Sequence, residues 1–193
     1  MLLLRAGAHV TFGVSGLKTH GKTALVVRKE ARGLRCYVHI GTGNYHVKTA
    51  RLYSDVGLFT CDARIVEDVV NLFHYLTGRA EQPGFNSLLV APITMRPRLL
   101  DLILREIENK RAGQPAKIIA KMNQLEDPEM IEALCEASEA GVSIDLIVRG
   151  FCCLRPGVPG RHREHPHSFH HRALPRAFPH LLLRQWKAGS GRG

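Results

Sequence analysis

Residues 117–149 read KIIAKMNQLEDPEMIEALCEASEAGVSIDLIVR. Two short apolar runs, Lys117-Lys121 and Val142-Arg149, have the length and β-branched content of buried strands. Between them, Asp127-Pro128-Glu129 reads as a helix start, with a capping carboxylate, a proline in the first turn and an acid behind it. A helix over Pro128-Ala140 follows. Strand, helix and strand in this order predict an α/β unit with a largely parallel sheet. Toward the N-terminus the alternation continues, with a helix over Arg96-Lys110 and a strand over Leu88-Ala91. Gln82-Pro83-Gly84, just before it, reads as a linker.

Residues 9–55 have a different texture. His9-Val14, Ala24-Val27 and Arg35-Ile40 read as strands, separated by Gly16, Gly33 and the Gly41-Thr42-Gly43-Asn44 cluster. They predict a meander or the end of a larger sheet. Ala63-Thr77 then places Ile65, Val66, Val69, Leu72, Phe73 and Leu76 three and four residues apart, predicting an amphipathic helix that stops at Gly78.

The chain has 193 residues, of which 45% are hydrophobic and 23% charged. This composition excludes wholesale disorder, collagen and a disulfide scaffold. No apolar run approaches the ~18 residues of a membrane-spanning helix. The five cysteines are odd in number and lack a C-x-x-C pair, so reduced thiols in a cytoplasmic setting are expected. Net charge is +10, and residues 161–193 alone carry seven Lys and Arg against Glu164. That excess points to a polyanionic partner. The same tail holds six of the 11 histidines and shows neither helix nor strand periodicity.

Gly16-Leu17-Lys18-Thr19-His20-Gly21-Lys22-Thr23 satisfies the phosphate-cradling pattern G-x-x-x-x-G-K-[ST]. That mechanism needs a helix N-terminus directly after the loop. Ala24-Val27 looks like a strand instead, so the match is expected to be accidental. His20-Gly21-Lys22, followed some twenty residues on by Gly41-Thr42-Gly43-Asn44, is the sharper signal. The pair H-x-K and G-[ST]-x-N resembles the half-site of the phospholipase D-like superfamily. Imidazole is a nucleophile near neutral pH, and ammonium and amide donors stabilise charge on a transferring phosphoryl group. The bland alternative is a strand-edge histidine beside a glycine turn.

Three further stretches, His39-Ile40-Gly41-Thr42-Gly43-Asn44-Tyr45, Lys48-Thr49-Ala50-Arg51-Leu52-Tyr53-Ser54-Asp55 and Leu146-Ile147-Val148-Arg149-Gly150, extend the likeness. Together, in order and spacing, these segments resemble the bacterial long-chain polyphosphate kinases, from about Leu4 to Gly160. The resemblance implies an α/β fold with parts of two phospholipase D-like domains. Residues 1–80 would end the first, 81–160 begin the second, and 161–193 form an irregular basic tail. It implies that His20 is the phosphohistidine nucleophile, that Tyr53 and Arg149 bind ATP, and that Lys22 and Asn44 hold phosphate. ATP and polyphosphate are the implied substrates, with magnesium held by ligands outside this chain. The location implied is cytoplasmic, with membrane association in a polyphosphate kinase complex and a homo-oligomer both compatible with it. Gly21 and His46 depart from the family's usual Ala and Asn.

The resemblance also implies that the N-terminal and helical domains and the second active-site histidine lie outside the matching stretch, so weak activity is expected of this chain alone. Back-translating residues 161–186 with permissible codons and dropping one base gives a reading that contains F-L-E-H-S-R, which resembles the family's continuation. The tail is therefore expected to be an out-of-frame product, ahead of a disordered basic arm and of a histidine-rich metal segment. Two functional alternatives stand beside the kinase: a non-catalytic basic protein binding polyanion or nucleic acid, and a phospholipase D-type phosphodiesterase half-site. Nucleic acid is the less expected partner, because aromatic residues are sparse in the tail.

Overall fold

The computed structural model describes residues 2–81, 84–155 and 169–171. It forms two compact units, Met1–Thr94 and Met95–Gly193.

The first unit opens with a short helix, α1 (Leu2–Arg5), and an extended stretch without strand pairing. Strands β1 (Lys22–Glu30) and β2 (Gly33–Gly41) form an antiparallel hairpin around Ala31-Arg32. Gly33 makes the turn at φ 118°, a conformation that side-chain-bearing residues avoid. After α2 (Val47–Ala50), β3 (Gly57–Thr60) pairs antiparallel with β2, giving the order β1-β2-β3. Helix α3 (Ala63–Leu76) packs on β2. Its start is capped by the Asp62 carboxylate, which accepts from the Arg64 amide at 2.9 Å, and Gly78 follows its end at φ 72°. Val38 and Val69 are the fully buried apolar residues here, so among the described residues this unit's own core is small.

Polar pinning supplements that core. Asp68 on α3 is fully buried, and its carboxylate accepts from the backbone amides of Asn86, Ser87 and Leu88 at 3.0, 2.6 and 2.8 Å. These three hydrogen bonds together outweigh burial and hold its pKa below the ordinary carboxylate value. Two expected strands fail in this unit. Leu88-Ala91 is not a strand, because the Leu88 amide goes to Asp68 and the Val90 amide goes to the Thr94 hydroxyl at 2.9 Å. His9-Val14 is not a strand either: Gly13 takes a positive φ of 87° within it, which interrupts the pleat. The run after Lys22 is strand β1, so the phosphate-cradle match lacks its helix, as expected.

The second unit contains α4 (Met95–Arg111), β4 (Lys117–Met122), α5 (Pro128–Glu139), β5 (Ser143–Val148) and β6 (Phe169–His171). β4 and β5 pair in parallel, Lys117 opposite Ser143 through Met122 opposite Val148. Ile144, Leu146 and Val148 alternate inward from β5 onto Ile103 and Ile107 of α4 and Ala133, Leu134 and Ala137 of α5. Full burial of such side chains is worth about 1.5–3 kcal/mol each. Asp127 caps α5, accepting from the Met130 amide at 3.0 Å, with Pro128 in the first turn. The α/β reading of both units is borne out. β6 corrects the view of residues 161–193 as wholly irregular: three of them pair in parallel with the free edge of β5, a non-local contact that no local periodicity announces. The other residues of that tail, and with them its reading as an out-of-frame product, lie outside the described residues.

Glu106 is half-buried and accepts from the Lys117 amide at 3.2 Å. Cys153 is exposed after the core strand, and His74 lies on the exposed side of α3. All five cysteines are free. Among the described residues, no helix is long and apolar enough to cross a membrane.

Candidate functional site

His20 lies in the loop that leads into β1, and Lys22 is the first residue of that strand. The Lys22 ammonium stands 2.9 Å from His20 Nδ1 and 3.1 Å from Nε2, and it donates to the His20 carbonyl at 2.6 Å. The ring nitrogen without a hydrogen accepts from it, so the tautomer decides which contact is a hydrogen bond. His20 is exposed.

Lys22 pairs across the sheet with Gly41, so the loop 42–44 leaves β2 at the end of the sheet where His20 enters β1. Asn44 is exposed in that loop, and its carbonyl accepts from the His46 amide at 2.7 Å. The loop is clasped to the start of β3. The Thr42 amide donates to the Val56 carbonyl at 3.0 Å, the Thr42 hydroxyl donates to Asp55 at 3.2 Å, and the Val56 amide donates to that hydroxyl at 3.0 Å. A Cβ at Gly43 would fall inside the Asp55 carboxylate, so a larger residue there forces that side chain to turn away from Thr42. His46, at the position where Asn is usual, caps α2 by accepting from the Thr49 amide through Nδ1.

His39, singled out only as part of a motif, is the centre of a cluster that sequence reasoning missed. Its ring lies across the paired glycines Gly41 and Gly57, where added Cβ atoms would come within 3.0 and 2.7 Å of it. It shares a 2.6 Å hydrogen bond with the Tyr45 hydroxyl and packs on Phe59 with centroids 4.3 Å apart. The pairing Ala24–His39 follows from the hairpin register and puts His39 on the Lys22 face.

Tyr53 is exposed in the segment between α2 and β3. Arg149 belongs to the second unit, directly after β5, where its amide donates to the Met122 carbonyl at 3.1 Å. It therefore stands at the C-terminal end of the parallel pair, the end at which open α/β sheets bind ligands. The structure thus brings His20 and Lys22 into contact, gathers Asn44 and Tyr53 onto the loops of the same unit, and puts Arg149 in the other.

The implied magnesium finds no cage among these groups. Magnesium takes oxygen ligands, and the site offers imidazole, ammonium and an amide, with Asp55 engaged by Thr42. Among the described residues no cluster of three or more His, Cys, Asp or Glu could hold a metal.

Comparison with known proteins adds a second kind of observation. The family model for polyphosphate kinase C-terminal domain 1 matches residues 2–82, and that for C-terminal domain 2 matches residues 88–166. The polyphosphate kinase of Thermosynechococcus vestitus is 63% identical over 158 residues, covering 82% of this chain and 22% of its own length. That of Prochlorococcus marinus is 58% identical, with the same shares covered. The crystal structure of polyphosphate kinase from Porphyromonas gingivalis superposes with a TM-score of 0.76 at 41% identity, covering 88% of this chain and 28% of that one. The chain therefore spans about a fifth of the length of these curated relatives.

Proposed function

Because this chain belongs to the polyphosphate kinase family, whose two C-terminal domain models match it in succession, we propose that it carries the phosphohistidine half of an ATP:polyphosphate phosphotransferase. The observation that carries the reading is the Lys22 ammonium resting on the ring nitrogens of exposed His20. An unprotonated imidazole nitrogen attacks the γ-phosphorus of ATP. The N–P bond forms as the bond from phosphorus to the β–γ bridging oxygen breaks, and ADP leaves with the electron pair. A terminal oxygen of the polyphosphate chain then attacks the same phosphorus and the N–P bond breaks, returning the imidazole.

Lys22 has to leave the ring nitrogens as phosphorus arrives, and its ammonium then follows the phosphoryl oxygens. Asn44 donates to those oxygens from the clasped loop, Tyr53 orients the nucleotide, and Arg149 neutralises phosphate charge. Donors held ready for charge that develops in the transition state are worth about 10²–10³ in rate each. By itself the chain is expected to turn over weakly, since groups that act as a unit fail together when one is absent. The cytoplasm is the compartment proposed for it, and the five free thiols support that reading.

Incubation with γ-labelled ATP tests the proposal. The expected product is a faint, acid-labile, base-stable label on the full chain that disappears in His20→Ala and falls about 10²-fold in Lys22→Met. A label that survives His20→Ala sinks it. The concentration of positive charge in residues 161–193 favours a second reading, non-catalytic binding of polyanions through the tail. On that reading, deletion of those residues abolishes polyanion binding.

A further inference from the structure

At the far end of the hairpin from His20, Arg28 of β1 and Arg35 of β2 are direct cross-strand partners on the same face of the sheet. Like charges in that position destabilise a sheet, with Cβ atoms only about 4.5–5.5 Å apart. Nothing in strand formation asks for such a pair. Both guanidiniums are also fixed: Arg28 lies 5.9 Å and Arg35 5.5 Å from the centroid of the Tyr37 ring, and Arg35 donates to Cys61 Sγ at 3.1 Å. Lys29 and Arg32, both exposed, add two more cations to the same hairpin. Glu30 is the acid among them, 4.0 Å from Arg28 Nε and accepting the Tyr37 hydroxyl at 2.6 Å. On the face shared by Arg28 and Arg35, Glu30 is the carboxylate beside them, while Lys29 adds its charge on the opposite face and Arg32 in the turn.

We propose that this hairpin is a docking surface for a linear polyphosphate chain, with Arg28 and Arg35 gripping it at a distance from the reacting phosphate. The proposal rests on the phosphotransfer reading above and adds to it a second point of contact. Arg28 lies six residue steps along β1 from Lys22, about 20 Å at ~3.3 Å per residue, so a long chain reaches both points and a very short one does not. The face of the sheet between them carries Ala24 and Val26 on β1 and Tyr37 and His39 on β2. Planar guanidiniums suit phosphate oxygens by their forked donors. At the arginine end the Tyr37 ring is attended by both arginines and its hydroxyl by Glu30, and the exposed Phe59 ring stands away from them beside His39, so polyphosphate is favoured over single-stranded nucleic acid at this grip.

The test is binding of the full chain to long-chain polyphosphate as a function of salt, for the wild type, for Arg28→Gln/Arg35→Gln, and for Lys110→Gln/Arg111→Gln on α4, which removes the same charge elsewhere. The hairpin variant is expected to bind at least about ten-fold more weakly than the α4 variant, with a salt slope lower by roughly 1–2. Its loss toward tripolyphosphate should be much smaller. To remove dependence on folding of the variants, arginine modification of the wild type should show Arg28 and Arg35 protected by long-chain polyphosphate. Equal binding by the two variants, no protection, no wild-type binding, or an equal loss toward tripolyphosphate or toward a single-stranded oligonucleotide of matched charge would each overturn the proposal. Failure of the phosphotransfer reading shows separately, as label that does not depend on His20.

Discussion

Replacing Asp68 by Asn tests what holds the first unit together. The carboxylate is fully buried on α3 and accepts three backbone amides from residues 86–88, the segment that closes the unit. A hydrogen bond to an ionised acceptor contributes about 1.5–3 kcal/mol, so three set an upper bound near 5–9 kcal/mol. Asn keeps one acceptor oxygen that can serve two of the amides. The segment it holds is half-exposed, so water replaces part of what is lost. The net cost is then about 2–4 kcal/mol, a large share of the ~5–15 kcal/mol by which a domain is stable. With so few fully buried apolar residues in this unit, packing has little to offset it.

The pH dependence has a definite sign. The folded pKa of Asp68 is depressed below its unfolded value, so its contribution is complete above about pH 4 and is lost as pH falls through the folded value. Urea titration read by circular dichroism, with hydrogen exchange on the same samples, measures both effects. Asp68→Asn should lower the midpoint, abolish protection of amides 86–88 and flatten the acid limb of the stability profile. An unchanged midpoint with residues 86–88 still protected would refute the reasoning.

Gly43→Ala drives a methyl group into the Asp55 carboxylate, opening the Thr42 clasp; a cost of about 1–3 kcal/mol is expected in thermal melts, together with a drop in His20 labelling because Asn44 shares that loop. In the second unit, Arg96 reaches Asp127 at 2.7 Å and also meets Glu129, and these contacts hold the Asp127 carboxyl below its ordinary value. The partners are more than a third exposed, so Arg96→Ala should leave the melting temperature almost unchanged, with the small difference shrinking further in high salt. A large fall in melting temperature would contradict the solvent screening assumed here.

The reading of His20 and Lys22 needed little tertiary information. They lie two residues apart at the mouth of a strand, so the local backbone brings their side chains together. Asn44 was legible through the Gly-Thr-Gly-Asn turn, though the reason for Gly43 was not, because the atoms that exclude a Cβ belong to Asp55, twelve positions on. His39 was overlooked because its significance lies in the company of Gly57, Phe59 and Tyr45, which only strand pairing assembles. Arg149 illustrates the opposite case: the run before it reads plainly as a buried strand, so its station at the strand's end could be named from sequence.

By itself, the sequence determined whatever depends on residues close along the chain: the period of α3, the helix start at Asp127, the strand character of β5 and the closeness of His20 and Lys22. Tertiary structure alone decided where backbone amides find their partners. Leu88-Ala91 has strand composition but gives its Leu88 amide to a carboxylate twenty residues back and its Val90 amide to the Thr94 hydroxyl, and Phe169–His171 lacks a strand's pattern but pairs with the open edge of β5. Every buried N–H must find an acceptor, and a sequence pattern records the propensity of the donor but not which distant acceptor arrives.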